Sequence, residues 1–371
     1  MKKLWFYSLM IGLLLAITLT GCGGGGKSGG NGGNGGNDSG GGATIYTAGA
    51  LRDGIYMRGC YWTNGSTTPT YLSTAGSPSN AYVICVSGGV RYIAGCTGFD
   101  FRRACYWTGD SATPIYVGEA GGQTVAYAIC VSEGVVYTAG EQFDHDIRKW
   151  KACYWTGNST TPTYVDTSES RTTANGICVV GSVKYVAGYM ENDAGNSIAC
   201  YWKTEGDTST YYPLGEPGSN SRAYAICASV GNIYIAGYMD DAAGDYSIAC
   251  YWKIEGDTST HYPLGESGAD SLAYAICASG GDIYTAGRSN NRACYWKGNS
   301  GTPIYIGAAG SMSEAKAICV SGGVIYTAGL TIVDSGDDLT GRACYWKGNN
   351  TTPIYVVPEG TESYVTAICA Q

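Results

Sequence analysis

Acidic and aromatic side chains are concentrated in a few short segments of this chain. These segments are GFDFRR, EQFDHDIRKW, YMENDAGNS, YMDDAAGDYS and VDSGDD. In the second of them Asp144 and Asp146 flank His145, and Trp150 follows. Paired carboxylates can cleave glycans by acid–base catalysis, and a tryptophan ring offers a large apolar surface to the face of a sugar. These residue types point to saccharide chemistry, or to a binding surface made of the same groups.

Further acidic candidates lie in the last three segments: Asp193, Asp240, Asp241, Asp334, Asp337 and Asp338. Hard cations such as Ca²⁺ need several carboxylates, and Asp334, Asp337 and Asp338 form a weak candidate for such a site. This set lacks the twelve-residue ligand spacing of an EF-hand loop, so solvated turn residues explain it better. His145 and His261 lie in unrelated positions, which excludes a histidine-based zinc site. We expect no cofactor, with calcium as the less favoured alternative.

A repeat of 44 to 50 residues determines how these segments are positioned. Its marker is the cysteine of CYW, which occurs at Cys60, Cys105, Cys153, Cys200, Cys250, Cys294 and Cys344. Each period contains four short β-like runs, represented by AYAICVS, GVIYTAG, RACYWKG and TPIYVG, which we name strands a, b, c and d. Four strands in a period of this length are typical of one β-propeller blade. The sequence therefore predicts an all-β, seven-bladed β-propeller of four-stranded blades over residues 44–371.

The two ends of residues 44–371 are complementary. The segment opens on TIYTAG, a strand b without its a, and closes on YVTAICA, a strand a without its b. The N-terminal strands b, c and d would join the C-terminal strand a in one mixed blade, which hides sheet edges that would otherwise be exposed. This closure favours a ring over an open solenoid, the alternative, because solenoid ends are capped by their terminal repeats.

The order of an apolar strand, then IYTAG, then an aromatic strand with Trp resembles kelch-type blades across all seven units. It also resembles bacterial surface repeats of the pattern A-x-Y-W-K-x-G. Kelch blades usually close strand b with two glycines, whereas here Ala328 precedes the single Gly329, and here the Tyr and Trp are adjacent. The resemblance implies the blade geometry and transfers no functional residue.

The CYW motif itself is expected to form the core. Successive residues of a strand point to opposite faces, so the Cys and Trp should face one neighbouring blade and the Ala and Tyr the other. A second cysteine series lies in the AIC strands, and strands a and c of one blade are too far apart for a disulfide. Bridges between blades and buried unbridged packing both stay open. Cys96 belongs to neither series and is expected on a loop as a lone thiol.

The N-terminus has two lysines, an apolar run from Leu4 to Leu19, and small residues before Cys22, which is typical of a signal peptide over residues 1–21. The apolar run is short for a transmembrane span. LTGC at its end resembles the lipobox of bacterial lipoproteins, which implies cleavage before Cys22 and a lipid on its thiol. An uncleaved anchor is the alternative. Gly23, where an inner-membrane protein of this type usually has aspartate, implies the outer membrane or cell surface.

Residues 22–43 are rich in glycine and have no apolar side chain between Gly23 and Gly42, so they should form a flexible tether. Losing Lys2 and Lys3 with the signal peptide would change the formal charge from −8 to −10. An acidic body disfavours binding to nucleic-acid phosphates. We expect a monomer that touches the membrane only through its lipid.

The connection between strands b and c varies most in length, from RSNNRA to LTIVDSGDDLTGRA. In a four-stranded meander it emerges on the same face as the connection between d and the next a, and such loops are the usual place for binding. We predict a binding or adhesion scaffold for an unidentified protein or glycan. The alternative is a glycan-binding or glycan-active propeller. Enzyme activity is not expected, because neither Asp boxes nor an arginine cluster of the sialidase type is visible in the sequence.

Overall fold

The computed structural model of the protein describes residues 17–18, 43–216, 218–266, 268–334 and 339–371. The described chain is all β, without a helix. Seven sheets each contain four antiparallel strands in the order a, b, c, d. Each strand a packs against the strands a of the two neighbouring sheets, so the sheets form a ring with the a strands innermost. This arrangement is a seven-bladed β-propeller, as the repeat predicts.

We number the blades from 1, the blade that contains both chain ends, to 7. The a strands, in blade order, are Ser363–Ala370, Ser79–Ser87, Thr124–Ser132, Thr172–Val180, Ser221–Ser229, Ser271–Ser279 and Ser313–Ser321. The b strands are Ile45–Asp53, Val90–Thr97, Val135–Asp144, Val183–Glu191, Asn232–Asp240, Asp282–Ser289 and Val324–Asp334. The c strands are Tyr56–Thr63, Arg103–Thr108, Lys149–Thr156, Ser197–Glu205, Ser247–Glu255, Arg292–Lys297 and Leu339–Lys347. The d strands are Thr70–Tyr71, Ile115–Tyr116, Thr163–Tyr164, Thr208–Pro213, Thr258–Pro263, Ile304–Tyr305 and Ile354–Tyr355.

Blade 1 closes the ring by pairing the two ends of residues 44–371. Ile45 lies opposite Ala370, and Leu51 lies opposite Ser363. The backbone N–H groups of Thr44 and Gln371 donate to each other's carbonyl oxygens at 2.8 and 3.0 Å. The predicted mixed blade is confirmed.

The ACYW strands form the contacts between blades in the predicted sense. Tyr251 of blade 5 packs in one cluster with Trp296 of blade 6, while Trp252, on the other face of the same strand, packs with Tyr201 of blade 4. The tryptophans of all seven motifs are at most 1% exposed. Burying large aromatic side chains on both faces of each sheet supplies most of the apolar stabilisation of the ring.

A hydroxyl at the start of each strand a ties neighbouring blades together. The Oγ of Ser313, which begins strand a of blade 7, accepts the N–H of Ala293 in strand c of blade 6 at 3.0 Å. Thr124 accepts the N–H of Ala104 at 2.8 Å in the equivalent place. These bonds fix the end of the ring at which the b–c and d–a connections emerge, which we call the loop face.

The cysteines of the propeller are buried as thiols in the part of the chain that the structure describes, which supports unbridged packing over disulfides. Cys96 corrects the expectation of a loop thiol. It lies in strand b of blade 2 with no exposed surface, and its Sγ is 3.6 Å from the hydroxyl of Tyr82. Cys96 is internal because strand b lies between strands a and c, which places it opposite Asn80 and Ala104 and packs it with Tyr82 and Val125.

We therefore expect none of the fifteen described cysteines to react with an aromatic disulfide reagent in the native protein at neutral pH. Burial raises the pKa of Cys130 and Cys277 to about 12, so thiolate is scarce as well as inaccessible. In guanidinium all fifteen thiols should titrate, whether or not the sample was first reduced. A lower count in the unreduced sample would reveal disulfides.

The strand Ile17–Thr18 pairs in parallel with Ala275 and Ile276 of the strand a in blade 6 and also contacts the a strands of blades 2 to 5. It therefore lies inside the ring. The rest of the predicted signal peptide, Cys22 and the tether as far as residue 42 fall outside the described residues. Across the described residues, no helix is long and apolar enough to span a membrane.

Candidate functional site

The predicted group in blade 3 lies on the loop face, in the hairpin between strands b and c. Oδ1 of Asp144 accepts the N–H of Asp146 at 2.9 Å and that of Ile147 at 3.3 Å. These bonds close the turn, so Asp144 has a structural role. His145 is exposed and packs edge-on against Phe143, with ring centroids 5.1 Å apart. Asp144 and Asp146 do not form a pair of facing carboxylates.

The remaining acidic candidates also lie in or beside b–c connections. Asp193 is exposed, Asp240 accepts the hydroxyl of Ser247 at 2.9 Å, and Asp241 accepts the N–H of Asp245 at 2.9 Å. Asp334 ends strand b of blade 7, while Asp337 and Asp338 lie outside the described residues. Among the residues that can be described, no group of three or more His, Cys, Asp or Glu side chains is arranged to hold a metal ion.

Trp150 differs from these loop residues because it packs on side chains of strands a and b. It is half-buried and packs against the cluster of Tyr82, Cys96 and Val125. Its ring centroid is also 5.5 Å from that of Phe143. Of the predicted residues, Trp150 therefore lies nearest to the innermost strands. We call the part of the loop face next to the a strands its inner end.

A bulge in strand a determines what lines that inner end. In each blade the pairing between a and b shifts by one residue, as between Ala81 and Val83, which leaves Tyr82 without a partner. The glycine of strand b makes this possible. A Cβ on Gly140 would lie 1.9 Å from the carbonyl oxygen of Val125, so a larger residue would push the strands apart. The bulge adds one side chain per blade at the innermost strand.

The side chains at the bulge, and those next to it in strand b and in the adjoining connections, differ from blade to blade. The other positions of strands a, b and c hardly change. Tyrosine, arginine, lysine and glutamate are frequent at the variable positions, although blades 1 and 4 have Thr366 and Asn175 at the bulge, and we call the tyrosines and charged residues of blades 2 to 7 the axial belt. It comprises Arg102, Tyr127, Glu141, Arg171, Tyr189, Arg222, Tyr224, Tyr274, Arg288, Glu314 and Lys316.

The belt has one centre between blades 3 and 4. The hydroxyl of Tyr127 donates to Oε1 of Glu141 at 2.8 Å, and that of Thr173 donates to Oε2 at 2.9 Å. Glu141 is only 5% exposed, and burial raises its pKa although Tyr127, Arg171 and Arg102 oppose the shift. Burial raises the pKa of Tyr127 well above its ordinary value. The pair is a buried proton donor and acceptor flanked by two guanidinium groups.

A second centre lies between blades 6 and 7. Tyr274 donates to Oε1 of Glu314 at 3.2 Å, and Lys316 donates to Oε2 at 2.6 Å. The Nε of Arg288 lies 3.2 Å from the hydroxyl of Tyr274 and 3.5 Å from Glu314. Burial alone would raise the pKa of Glu314, but Lys316 and Arg288 lower it below its ordinary value. Glu314 is therefore a carboxylate held between two cations.

The two centres are joined through blades 4 and 5. Arg222 lies over the ring of Tyr189, 4.6 Å from its centroid, across the boundary between these blades. The rings of Tyr224 and Tyr274 then span blades 5 and 6, with centroids 5.9 Å apart. The polar groups thus form a continuous arc around the ring axis on the loop face.

Cations outnumber carboxylates in this arc, although the protein as a whole is acidic. The arc holds Arg102, Arg171, Arg222, Arg288 and Lys316 against Glu141 and Glu314, and Glu191 and Asp270 pair with Arg171 and Arg288 at 3.0 Å, in a chain of formal net charge −8. Arg171 keeps 39% of its side-chain surface exposed, and its buried Nε has no hydrogen-bond partner among the described residues. The belt can accept an anionic group from solvent.

The sequence alone did not reveal this group, because its members lie about one repeat apart. Arg102, Arg171, Arg222 and Arg288 come from different blades, so they are not neighbours in the sequence. A signal did exist. The strand NAYVIC of blade 2 becomes TANGIC, RAYAIC and EAKAIC in blades 4, 5 and 7, so variation occurs inside a strand whose other positions barely change.

A small cavity of about 210 Å³ lies away from the belt, against the outer part of blade 3. Its walls include Asp144, Lys151 and Asp166, and Lys151 bonds Asp166 at 2.9 Å. Lys151 occupies the place of Arg103 in blade 2, which donates to the d–a carbonyl of Gly118. The cation in the cavity is therefore an anchor of the d–a connection.

By sequence, no known protein family and no characterised protein matches this chain. Among solved structures, a puromycin-hydrolysing peptidase of Mycobacterium tuberculosis is similar, with a TM-score of 0.57 and 10% identity over 85% of this chain and 52% of the peptidase. This chain thus spans about half the length of the peptidase. An ulvan lyase bound to a saccharide gives a TM-score of 0.47 and 11% identity, over 78% of this chain and 81% of the lyase.

A sialidase of Trypanosoma rangeli in complex with sialic acid gives a TM-score of 0.46 and 10% identity, over 81% of this chain and 57% of the sialidase. At such identities these likenesses concern the fold alone. The prediction of a non-enzymatic binding scaffold stays a prediction. The kelch-like membership and the lipoprotein assignment also stay predictions.

Proposed function

We propose that the protein binds an anionic glycan on its loop face, with the charged groups of the glycan held by the axial belt. The observation that carries this proposal is the arc of four arginines and one lysine, interleaved with tyrosines, in an otherwise acidic protein. Planar guanidinium groups match carboxylate and sulfate oxygens with paired hydrogen bonds. Tyrosine offers both a hydroxyl for sugar hydroxyls and an apolar ring face.

The proposal keeps the predicted binding role and moves the site inwards from the loop tips. Asp144 and Asp241 at the tips close turns, whereas Arg102 and Arg222 lie among the tyrosines of the belt, where an anionic ligand could pair with them. Partly buried cations in surroundings of low polarity attract an anion more strongly than exposed ones. An anionic glycan explains this arrangement better than a neutral one.

We further propose that Cys22 carries a lipid and that the propeller is displayed on the cell surface at the end of its glycine-rich tether. Cleavage before Cys22 would remove Ile17 and Thr18 from the ring and leave the inner strands open to solvent. A Cys22→Ser variant should then fail to incorporate labelled fatty acid. Unchanged labelling would refute the lipid attachment.

The test of the proposed function is binding by the mature protein to matched pairs of glycans. One pair is polygalacturonate and its carboxyl-reduced form, and the other is dextran sulfate and dextran. We expect binding to at least one anionic member, no binding to its neutral counterpart, and an affinity that falls with added salt. Equal binding to charged and neutral members, or to neither, would refute the proposal.

Cleavage of the bound glycan is a second candidate function, favoured by the hydrogen bond between Tyr127 and the buried Glu141. A carboxylate of raised pKa beside a tyrosine hydroxyl is suited to accept and return a proton. The same mixtures should be analysed for shortened chains and for unsaturated sugar products. If cleavage occurs, Glu141→Gln should stop it while binding persists.

A further inference from the structure

Three neighbouring blades carry aromatic side chains on the loop face, outside the axial belt. They are Tyr56 of blade 1, Phe99 and Phe101 of blade 2, and Phe143, His145 and Trp150 of blade 3. We call them the aromatic rim. The b–c connections of blades 4 and 6, with the sequences NDAGN and NN, contain no aromatic residue, and that of blade 5 contains Tyr246 alone. The rim therefore occupies one side of the ring.

The two phenylalanines of blade 2 are exposed in a loop of fixed shape. Phe99 and Phe101 are 66% and 64% exposed. Gly98, at φ 90°, allows this shape, since a Cβ on it would lie 2.6 Å from the carbonyl oxygen of Phe101. The N–H of Gly98 also donates to the carbonyl oxygen of Pro78 at 2.9 Å. The backbone of the loop thus holds two large apolar rings in solvent. Such exposure is unfavourable and is typical of a binding surface.

The rim is continuous with the axial belt at two points. Phe101 directly precedes Arg102, which lies beside Tyr82 and Tyr127. Trp150 packs on the cluster that contains Tyr82 and Val125, with Tyr127 against the same cluster. On the outer side, Tyr56 meets Phe99 edge to face, with centroids 5.5 Å apart. A path of ring surfaces thus runs outwards from the cationic arc across blades 3, 2 and 1.

We propose that this path binds the sugar units that follow the charged unit held by the belt, so that the ligand is a polysaccharide chain rather than a single sugar. This inference rests on the proposed function. Flat apolar rings at successive positions suit the apolar faces of successive sugars, and the nearby Asp100 and Asp146 can accept hydrogen bonds from their hydroxyls. Because the rim lies on one side of the ring, the polysaccharide should extend outwards from the ring axis across blade 2.

The test uses the double variant Phe99→Ala, Phe101→Ala with short and long forms of one glycan. The probes are a galacturonate disaccharide and polygalacturonate, or the sulfated pair if only the sulfated glycan binds. We expect the affinity for the long form to fall about tenfold or more, because two stacking surfaces are lost, while the affinity for the disaccharide changes less than about twofold. Tyr246→Ala, which removes an aromatic residue 42% exposed in blade 5 on the same face, should change neither.

The outcomes separate the rim from the belt. If the wild-type protein binds the disaccharide and the polymer equally well, or if the double variant binds the polymer as the parent does, the extended path is wrong and the belt proposal stands. If the parent binds neither form of any anionic glycan, the proposed function fails. Vesicles of anionic lipid are a further arm. Vesicle binding lost in the double variant, with polymer binding unchanged, would assign the rim to a membrane and overturn the inference.

Discussion

Removal of residues 364–371 should abolish cooperative folding of the whole propeller. These residues form nearly all of strand a of blade 1, which pairs with Ile45–Asp53 and packs against the a strands of blades 2 and 7. Without them blade 1 loses its innermost strand and the ring loses its closure, so the edge of strand b becomes exposed. The buried side chains that disappear include Val365, Ile368 and Cys369. Their loss alone should cost several kcal/mol, comparable to the stability of a typical domain.

The measurement is thermal unfolding followed by circular dichroism, with the parent as reference. The truncated protein should show a broad transition or none. As a control, residues 241–246, the exposed b–c connection of blade 5, can be replaced by the Asn-Asn turn of blade 6. This change keeps the sheet closed, so the control should melt as sharply as the parent. A truncated protein that melts like the control would contradict the closed ring.

The second large effect is expected from the double variant Arg102→Met, Arg171→Met. Both side chains flank the Tyr127–Glu141 pair on the belt. Each charge-assisted hydrogen bond to an anionic ligand contributes about 1.5–3 kcal/mol, so the loss of two should weaken binding of the anionic glycan by about a hundredfold or more. The salt dependence of binding should also decrease. Titration calorimetry at two salt concentrations measures both changes.

Arg103→Met is the matched control, because Arg103 is the next residue in the chain and makes only internal contacts. Its Nε donates to the carbonyl oxygen of Gly118 at 2.8 Å, and its guanidinium lies 3.9 Å from the centroid of the Tyr116 ring. This variant should lower the melting temperature and leave binding unchanged. The belt double variant should keep its melting temperature within a few degrees, since the ion pair of Arg171 with Glu191 is partly exposed and Glu141 keeps its hydrogen bonds from Tyr127 and Thr173. Equal losses of affinity in both proteins would contradict a belt-specific site.

The propeller could be predicted from the sequence because the same four-strand pattern occurs in every blade. Strand b contains the same IYTAG motif in several blades. The CYW tryptophans pack against equivalent residues of the neighbouring blade throughout the ring. The split blade followed from the two ends of the chain alone. Alternation along a strand correctly assigned Trp252 and Tyr251 to opposite neighbours, because that rule depends on backbone geometry and on nothing distant.

The candidate site could be predicted only in part. The b–c connections do emerge together at the start of the a strands, and Trp150 packs on a cluster that Tyr127 of the belt also contacts. That a ligand binds on this face stays a prediction. Asp144 and Asp241 drew attention because they are adjacent to other charges in the sequence, yet they close their own turns. Arg171, Arg222 and Glu314 were missed because their neighbours in space come from other blades. Cys96 was misplaced for the same reason, since its burial depends on Tyr82 of the adjacent strand.

The most direct measurement is a crystal structure of the mature protein with a bound anionic oligosaccharide. We predict electron density for the saccharide at the inner end of the loop face. A carboxylate or sulfate group should lie within hydrogen-bond distance of Arg102, Arg171 or Arg222, and the chain should leave over Phe99 and Phe101. A saccharide bound to the a–b turns on the opposite face, or to the tips of the b–c connections with the belt unoccupied, would contradict this prediction.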